Sequence, residues 1–235
     1  MFPPVDILQG LQFSRIFLGS VGAASEHGGE FKSDLKRVAR NTSLAVLAFP
    51  VQYVCNHLYP PAVFSRSLFH LSVLPLLGPW LETILGFLIF DFFAYWLHRL
   101  EHRAPWLWKL HSLHHSDAVL DMSTHLRKHP VSYFYTVPYF LAVQVVFQIP
   151  LASGIAFVVA LDFIGLMNHT HAPLSPAWDR LLRVCGIVSQ SDHRIHHSRV
   201  VTDANSNYGM TTSLWDRLFG TYRSRPSQIP IQFGI

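Results

Sequence analysis

Two long stretches of the chain, residues 41–98 and 131–178, are apolar and almost without charge. They contain four formally charged side chains, namely Arg66, Glu82, Asp91 and Asp162. The hydrocarbon core of a bilayer is about 30 Å thick, and an α-helix crosses it with roughly 20 apolar residues. The pattern therefore predicts helices that cross a membrane.

Four segments are close to this length, and we predict a crossing helix in each: Asn41–Tyr59, Gly78–Leu97, Val131–Ile149 and Leu151–Asn168. Pro150 separates the last two and predicts a tight hairpin, because proline removes a helical hydrogen bond and clashes with the preceding turn. Ser67–Leu77 is apolar but short, and is either re-entrant or the outer part of a longer helix. The predicted fold class is all-α, a polytopic membrane protein with about four transmembrane helices.

The composition supports a membrane domain. Half of the 235 residues are hydrophobic and 14% are charged, whereas soluble domains carry about 25% charged residues. This shortage of charge argues against a nucleic-acid-binding domain, a disordered chain and an ordinary soluble enzyme. We therefore expect no nucleic-acid partner.

The basic residues cluster outside the predicted spans. Sixteen of the eighteen lysines and arginines fall within residues 32–40, 99–128 and 180–225. Four crossings place all three segments on one face, and the positive-inside rule makes that face cytoplasmic. We expect an integral, multi-pass protein whose two termini and histidine-rich metal cap lie in the cytoplasm. Residues 1–40 are expected to form an N-terminal surface segment, and residues 41–235 the membrane domain.

Most of the fifteen histidines occur as clusters in or beside these basic segments. One pair is spaced i, i+4, and two triplets are spaced i, i+3, i+4, which places the rings on one helical face. These are His98 and His102; His111, His114 and His115; and His193, His196 and His197. His169 and His171 follow the predicted hairpin, and His129 precedes it.

This many imidazoles exceed the three or four ligands of a single zinc site, and they suit two metal ions with four or five ligands each. Imidazole binds zinc, copper, iron and nickel, so the ligand type alone does not select the metal.

The histidines belong to longer motifs, which read Asp91-x3-Tyr95-Trp96-x-His98-Arg99-x2-His102, Leu107-Trp108-Lys109-Leu110-His111-x2-His114-His115, His193-x2-His196-His197-Ser198, Asn207-Tyr208-Gly209 and Trp215-Asp216-Arg217-Leu218-Phe219-Gly220-Thr221. Together these motifs resemble the fatty acid hydroxylase/sterol desaturase superfamily of membrane diiron oxygenases. The resemblance covers roughly Asp91–Tyr222. It implies a centre of two iron ions that uses O₂ to break a C–H bond of a membrane lipid.

By this resemblance nine histidines are the expected iron ligands: His98, His102, His111, His114, His115, His169, His193, His196 and His197. His129 lies in Arg127-Lys128-His129-Pro130, which resembles an Arg-x-His-Pro element of the family, and is either a ligand or a partner of one. His171 and His125 depart from the family pattern. His171 is either a ligand, a partner of one or a surface histidine, and for His125 a surface histidine is one interpretation.

Metal-bound imidazoles usually donate their second N–H to a carboxylate or a carbonyl. Two carboxylates lie seven residues before an expected ligand, Asp91 before His98 and Asp162 before His169. Weaker candidates for such contacts are Glu101, Asp192, Asp203 and Asn207. For Glu101 the favoured interpretation is a solvated partner of Arg99 or Arg103.

The predicted function is a membrane diiron oxygenase that hydroxylates or desaturates a fatty acyl, sterol or related lipid, with hydroxylation favoured. The sequence contains no segment resembling cytochrome b5 or a ferredoxin, so a separate protein is expected to supply electrons. The alternatives are a histidine-rich metal transporter, whose ligands should lie near the middle of the membrane, and a zinc hydrolase, which would leave most of the histidines unexplained.

Overall fold

The computed structural model describes residues 31–58, 78–224 and 231–235. The regular structure of these residues is helical, with one isolated β-bridge between Ile187 and Thr212. The helices are α1 (Phe31–Leu58), α2 (Pro79–Arg103), α3 (Pro105–His115), α4 (Met122–His125), α5 (Tyr133–Val146), α6 (Leu151–Asn168), α7 (Pro176–Val184), α8 (Gln190–His196), α9 (Val201–Ala204) and α10 (Leu214–Leu218). A 3-10 turn, Pro130–Ser132, precedes α5.

Two of the described helices, α2 and α6, are long and apolar enough to cross a membrane. Helix α6 has the bounds predicted for the fourth span, and α2 continues six residues beyond the predicted end at Leu97. Helix α5 has 14 residues, fewer than predicted for the third span. The first predicted span lies within α1, apart from Tyr59, which falls outside the described residues, as does Ser67–Leu77.

Helices α5 and α6 pack against α2, and α1 joins this packing through α5. Five buried side chains form the centre of this packing: Phe90, Ala94, Val143, Ile149 and Phe157. Gly86 permits a close approach of α2 and α6, because a Cβ atom there would lie 2.5 Å from Ser153 Oγ.

The break predicted at Pro150 is present. Helix α5 ends at Val146, Gln148 adopts a left-handed conformation with φ 48°, and Pro150 caps the start of α6. The backbone N–H of Ile149 donates to Gln144 O at 2.9 Å, which satisfies one of the last carbonyls of α5.

Helix α1 is joined to the rest of the domain by buried polar contacts. Arg37 forms ion pairs with Asp117 and Asp121, which lie in the loop after α3. Asn41 donates to Asp117 at 2.8 Å and accepts from Arg127 at 2.8 Å. Helix α1 runs continuously through residue 40, the expected boundary, and Arg37 and Asn41 on its two sides both contact Asp117.

Candidate metal centre

The ends of four helices bring the histidine clusters together. His98 and His102 occupy the last turns of α2, and the second cluster lies on α3. Between them Ala104 has extended backbone (φ −85°, ψ 120°), the conformation favoured before proline, and this turns α3 back towards α2. His169 ends α6, and the third cluster lies on α8 and its C-cap.

All nine expected ligands fall into two groups, within each of which the candidate ligand atoms lie within 4.8 Å of one another. The five-histidine group contains His98, His102, His111, His115 and His196. The four-histidine group contains His114, His169, His193 and His197. The two groups are adjacent, since the rings of His115 and His197 stack with centroids 4.5 Å apart.

Each triplet contributes to both groups. Residues four apart on a helix share a face, and His111 and His115 stay together, as do His193 and His197. The histidine at i+3 points about 100° away from its neighbour at i+4, since a helix has 3.6 residues per turn. His114 therefore belongs to the four-histidine group, together with His193 and His197. His196 belongs to the five-histidine group.

Three rings of the four-histidine group point their Nε2 atoms at one another. The Nε2 separations are 3.1 Å for His169 and His197, 3.1 Å for His169 and His193, and 3.2 Å for His193 and His197. Ligands about 2.0–2.1 Å from one metal ion at octahedral or tetrahedral angles are separated by about 2.8–3.4 Å. The spacing of these three nitrogens fits a shared metal ion.

Backbone carbonyls select the tautomer of three rings. Nδ1 of His98 donates to Tyr208 O at 2.9 Å, and Nδ1 of His196 donates to Ser206 O at 2.8 Å. Nδ1 of His169 donates to Gly165 O at 2.6 Å. Because a carbonyl only accepts, the proton of each neutral ring resides on Nδ1, and the lone pair of Nε2 faces the group.

Several buried ring nitrogens lack a hydrogen-bond partner among the described residues, including Nε2 of His102, His115 and His196. An unsatisfied buried polar atom costs about 1–3 kcal/mol, so such a concentration of them points to metal ions as the missing partners. Burial, reinforced by neighbouring imidazoles, lowers the pKa of His114 and His197 well below the usual range. These rings are therefore neutral, the form that binds metals.

The loop Ser206–Gly209 carries the carbonyls that hold His98 and His196. Asn207 adopts φ 53° between them, a conformation that asparagine tolerates better than most residues. Its side chain donates to Asp192 O and Arg223 O at 2.9 and 2.8 Å. Asn207, one of the expected site residues, thus holds the loop in place and does not itself contact a histidine ring through these bonds.

The expected contact between Asp91 and His98 is not the one that the structure shows. Asp91 accepts hydrogen bonds from four donors in the C-terminal segment: Thr211 N, Thr211 Oγ1, Thr212 Oγ1 and Trp215 Nε1. The partner of the His98 ring is the Tyr208 carbonyl. Asp91 therefore attaches the C-terminal segment, which includes part of the Trp-Asp-Arg-Leu-Phe-Gly-Thr motif, to α2.

Asp162 likewise contacts a different histidine from the one expected. Its carboxylate lies 3.2 Å from Nε2 of His125, whereas His169 bonds to Gly165 O. His125 is buried with its ring directly against the Cα of Gly165. It is therefore not a surface histidine, and it supports the end of α6 without belonging to either histidine group.

His129 and His171 lie outside both groups. Nδ1 of His129 accepts the backbone N–H of Val131 at 3.2 Å and caps the 3-10 turn. The backbone carbonyl of His171 accepts from Arg194 at 2.9 Å, and its side chain is half-buried.

Glu101 belongs to the site, and the expectation that it is solvated was wrong. It is buried, accepts a hydrogen bond from the Tyr135 hydroxyl at 2.6 Å, and lies 3.3 Å from Nδ1 of His111. Arg99 instead donates to the Tyr95 hydroxyl at 3.1 Å. In the sequence Glu101 looks like any charged residue near a helix end. Its inward direction becomes evident only from its contact with Tyr135, which lies on α5.

Comparisons with known proteins agree with these observations. The family model "Fatty acid hydroxylase" matches residues 83–221, more than half of the chain. Ornithine lipid hydroxylase OlsE of Rhizobium tropici is 29% identical over 154 residues, which cover 66% of this chain and 45% of that protein. Alkylglycerol monooxygenase of Xenopus tropicalis is 32% identical over 174 residues, covering 74% and 37%. A probable Delta(7)-sterol 5(6)-desaturase of Neurospora crassa is 30% identical over 137 residues, covering 57% and 36%.

No solved structure matches the chain significantly. The chain spans less than half of the length of these curated relatives. The family match includes every expected iron ligand, from His98 to His197. The chain belongs to the fatty acid hydroxylase/sterol desaturase superfamily.

Proposed function

We propose that this protein is a membrane diiron oxygenase that inserts one oxygen atom of O₂ into a C–H bond of a lipid. The observation that carries the proposal is the pair of adjacent histidine groups, with five and four candidate ligands. Imidazole suits iron as well as zinc, copper and nickel. The choice of iron rests on membership of the superfamily.

The nine histidines named above would hold two iron ions, one in each group. When bound, two ferrous ions would supply electrons for the reduction of O₂. The chain itself orients the rings: carbonyls of Ser206, Tyr208 and Gly165 accept from three Nδ1–H groups, and the Glu101 carboxylate lies 3.3 Å from Nδ1 of His111. Such contacts to the outer nitrogen preserve both the direction and the tautomer of a ligand.

Hydroxylation is favoured over desaturation. The ornithine lipid and alkylglycerol relatives are named as a hydroxylase and a monooxygenase, and the sterol relative as a desaturase. Hydroxylation consumes O₂, two electrons and two protons, and yields the alcohol and water. The electrons therefore require a donor, which we propose to be a separate protein.

The proposed topology has four membrane crossings, with the histidine-rich cap and both termini in the cytoplasm. Helices α2 and α6 meet the length and hydropathy of a span, and both end at histidines of the site. The basic residues on either side of the histidine clusters support a cytoplasmic location for that end, by the positive-inside rule.

Two of the three functions considered from the sequence lose support. The candidate ligands gather at the ends of α2 and α6, whereas a transporter holds its ligands near the middle of the membrane. A zinc hydrolase would use three histidines and leave the second group without a purpose.

The test combines lipid analysis with metal analysis. Cells that express the wild type should accumulate a lipid that has gained one oxygen atom, and cells that express His196→Ala should not. The purified wild type should contain two iron ions per chain. One zinc ion per chain, with unchanged lipids, would instead support the hydrolase, and a lipid that has lost two hydrogen atoms would indicate desaturation.

A further inference from the structure

Helix α7 is amphipathic. Its apolar side faces away from the protein and its polar side faces the protein, whereas a surface helix of a soluble protein has the opposite arrangement. Its apolar side chains point outwards: Trp178 is 61% exposed, Leu181 47% and Val184 79%. These residues are three apart, so they form one stripe along the helix. A contiguous exposed apolar surface of this kind marks a site of interaction with a membrane or a partner.

The polar side of α7 faces the protein. Asp179 accepts from Ser191 Oγ at 2.8 Å and pairs with Arg183 at 3.0 Å. Arg183 also pairs with Asp192 at 3.4 Å, next to the first histidine of the third cluster. These contacts fix the rotation of α7 about its axis. The apolar stripe is therefore held facing away from the protein core.

A second helix extends the same surface. Ser213 N donates to Gly186 O at 2.8 Å, which brings the start of α10 beside the end of α7. On α10, Leu214 is 45% exposed and Leu218 is 65% exposed. We call the exposed side chains of Trp178, Leu181, Val184, Leu214 and Leu218 the apolar collar.

The collar continues into the surface of the candidate span α2. Phe219, directly after α10, packs against Trp96 with ring centroids 5.1 Å apart, and Trp215 packs against Phe92 at 5.0 Å. Trp96 is itself 37% exposed. Because α10 lies beside the side chains of a span, its exposed leucines lie next to the surface that the span presents to lipid.

The charges and the tryptophan of the collar also match a membrane surface. The exposed Arg180 and Arg217 lie on the same two helices, where they would meet the phosphates of anionic lipids. Tryptophan is enriched at the boundary between hydrocarbon and headgroups. Only seven residues separate the start of α7 at Pro176 from the end of α6, a candidate span, at Asn168.

We propose that the apolar collar is immersed in the headgroup region of an anionic bilayer and holds the histidine-rich cap against the membrane. Helices of this kind lie in the plane of the interface, with their apolar side buried about 5–10 Å. The proposal depends on insertion of the protein into a membrane and not on its oxygenase activity.

The test measures where spin labels on the collar lie. Leu181→Cys and Val184→Cys are prepared separately in the full chain with Cys55→Ser and Cys185→Ser, and Thr202→Cys on α9 is the control, exposed and similar in size to valine. Each variant is reconstituted in nanodiscs of phosphatidylcholine and phosphatidylglycerol. Collisions of the label with O₂, which concentrates in the bilayer, are compared with collisions with a water-soluble nickel chelate.

At Leu181 and Val184 the label should collide several-fold more with O₂ than with nickel, and at Thr202 this order should be inverted. Nickel collisions at the collar that equal those at Thr202 would overturn the proposal. Protection from both reagents would also overturn it, since that result indicates burial against a second protein copy. Neither result depends on iron content or turnover, so the test is independent of the proposed function.

Discussion

At the scale of single residues, the site depends on which nitrogen of each imidazole carries the proton. The carbonyls of Ser206 and Tyr208 hold His196 and His98 with their Nε2 lone pairs directed into the five-histidine group. Asn207 enables this arrangement, because its left-handed backbone lies between the two carbonyls. Three consecutive residues, none of them a histidine, thus determine how two candidate ligands from different helices are oriented.

We expect His196→Ala to lose bound iron and lipid product, because it removes a nitrogen from the five-histidine group. The matched control is His129→Asn, since asparagine also accepts a backbone N–H at a cap position. That variant should retain both iron and product. Iron analysis of the purified proteins and lipid mass spectrometry measure the two effects, and full activity in His196→Ala would remove this histidine from the site.

We expect Glu101→Ala to weaken iron binding by about 10–100-fold, the usual effect of removing the partner of a ligand's second nitrogen. Glu101→Gln should weaken iron binding less than Glu101→Ala, because the amide oxygen of glutamine can still accept from His111 Nδ1. Tyr135→Phe, which removes the donor to Glu101, should also have a smaller effect.

Iron release to a chelator measures these differences between the Glu101 variants. Glu82→Gln in the first turn of α2 is the control, and it should release iron at the wild-type rate. If Glu101→Ala retains iron as firmly as the wild type, the contact with His111 has no role in metal binding.

At the scale of elements, the end of α6 is shaped by a glycine. Gly165 accepts the His169 Nδ1–H at 2.6 Å, and its Cα lies against the His125 ring, which Asp162 holds from the same helix. A side chain at position 165 would occupy the space of that ring. The carbonyl that orients a candidate ligand and the histidine that supports the helix are therefore coupled through one residue.

We expect Gly165→Ala to destabilise the protein by about 1–3 kcal/mol, because the added methyl group forces the His125 ring to move. It should also reduce the iron content of the four-histidine group. Gly154→Ala on the same helix is the control, since its Cβ would meet Phe90 at an ordinary 3.5 Å. Thermal unfolding in detergent should show a lower midpoint for Gly165→Ala alone, and equal midpoints would contradict the prediction.

At the scale of the whole molecule, the C-terminal segment is attached to a helix that is distant in sequence. Asp91 of α2 receives four hydrogen bonds from Thr211, Thr212 and Trp215. Asp216 accepts the backbone N–H groups of Tyr208 and Gly209 at 2.8 and 2.7 Å. Together these carboxylates hold the loop of the ring-orienting carbonyls over the end of α2.

The proposed topology predicts the sidedness of labelling in intact cells. With Cys55 and Cys185 replaced by serine, Arg66→Cys should react with an impermeant thiol reagent added outside. Lys109→Cys, exposed on α3, should react only after the membrane is permeabilised. The reason is that, in the proposed topology, α2 crosses the membrane between the exterior loop that contains Arg66 and the cap that contains Lys109. Labelling of Lys109→Cys from outside would show that the cap is not cytoplasmic.

The sequence by itself located the candidate metal ligands and the two most apolar helices of this protein. The apolar runs located α2 and α6, because burying a continuous helical surface in lipid requires such runs. The spacing of the clusters pointed to eight of the nine residues of the two histidine groups, and the family resemblance added His169. Of the four predicted spans, the two in α2 and α6 correspond to described helices with the length and hydropathy of a crossing, and the bounds of α1, α2 and α5 differ from the prediction.

Only the tertiary structure decided how those histidines are divided and what holds them. His114 and His115 are neighbours in sequence, yet they join different groups, because the partners that complete each group come from other helices. Asp91 finds its donors about 120 residues away, and Glu101 finds Tyr135 on α5. Such contacts depend on how helices pack, and the spacing of residues along one helix carries no information about the surface that will face it.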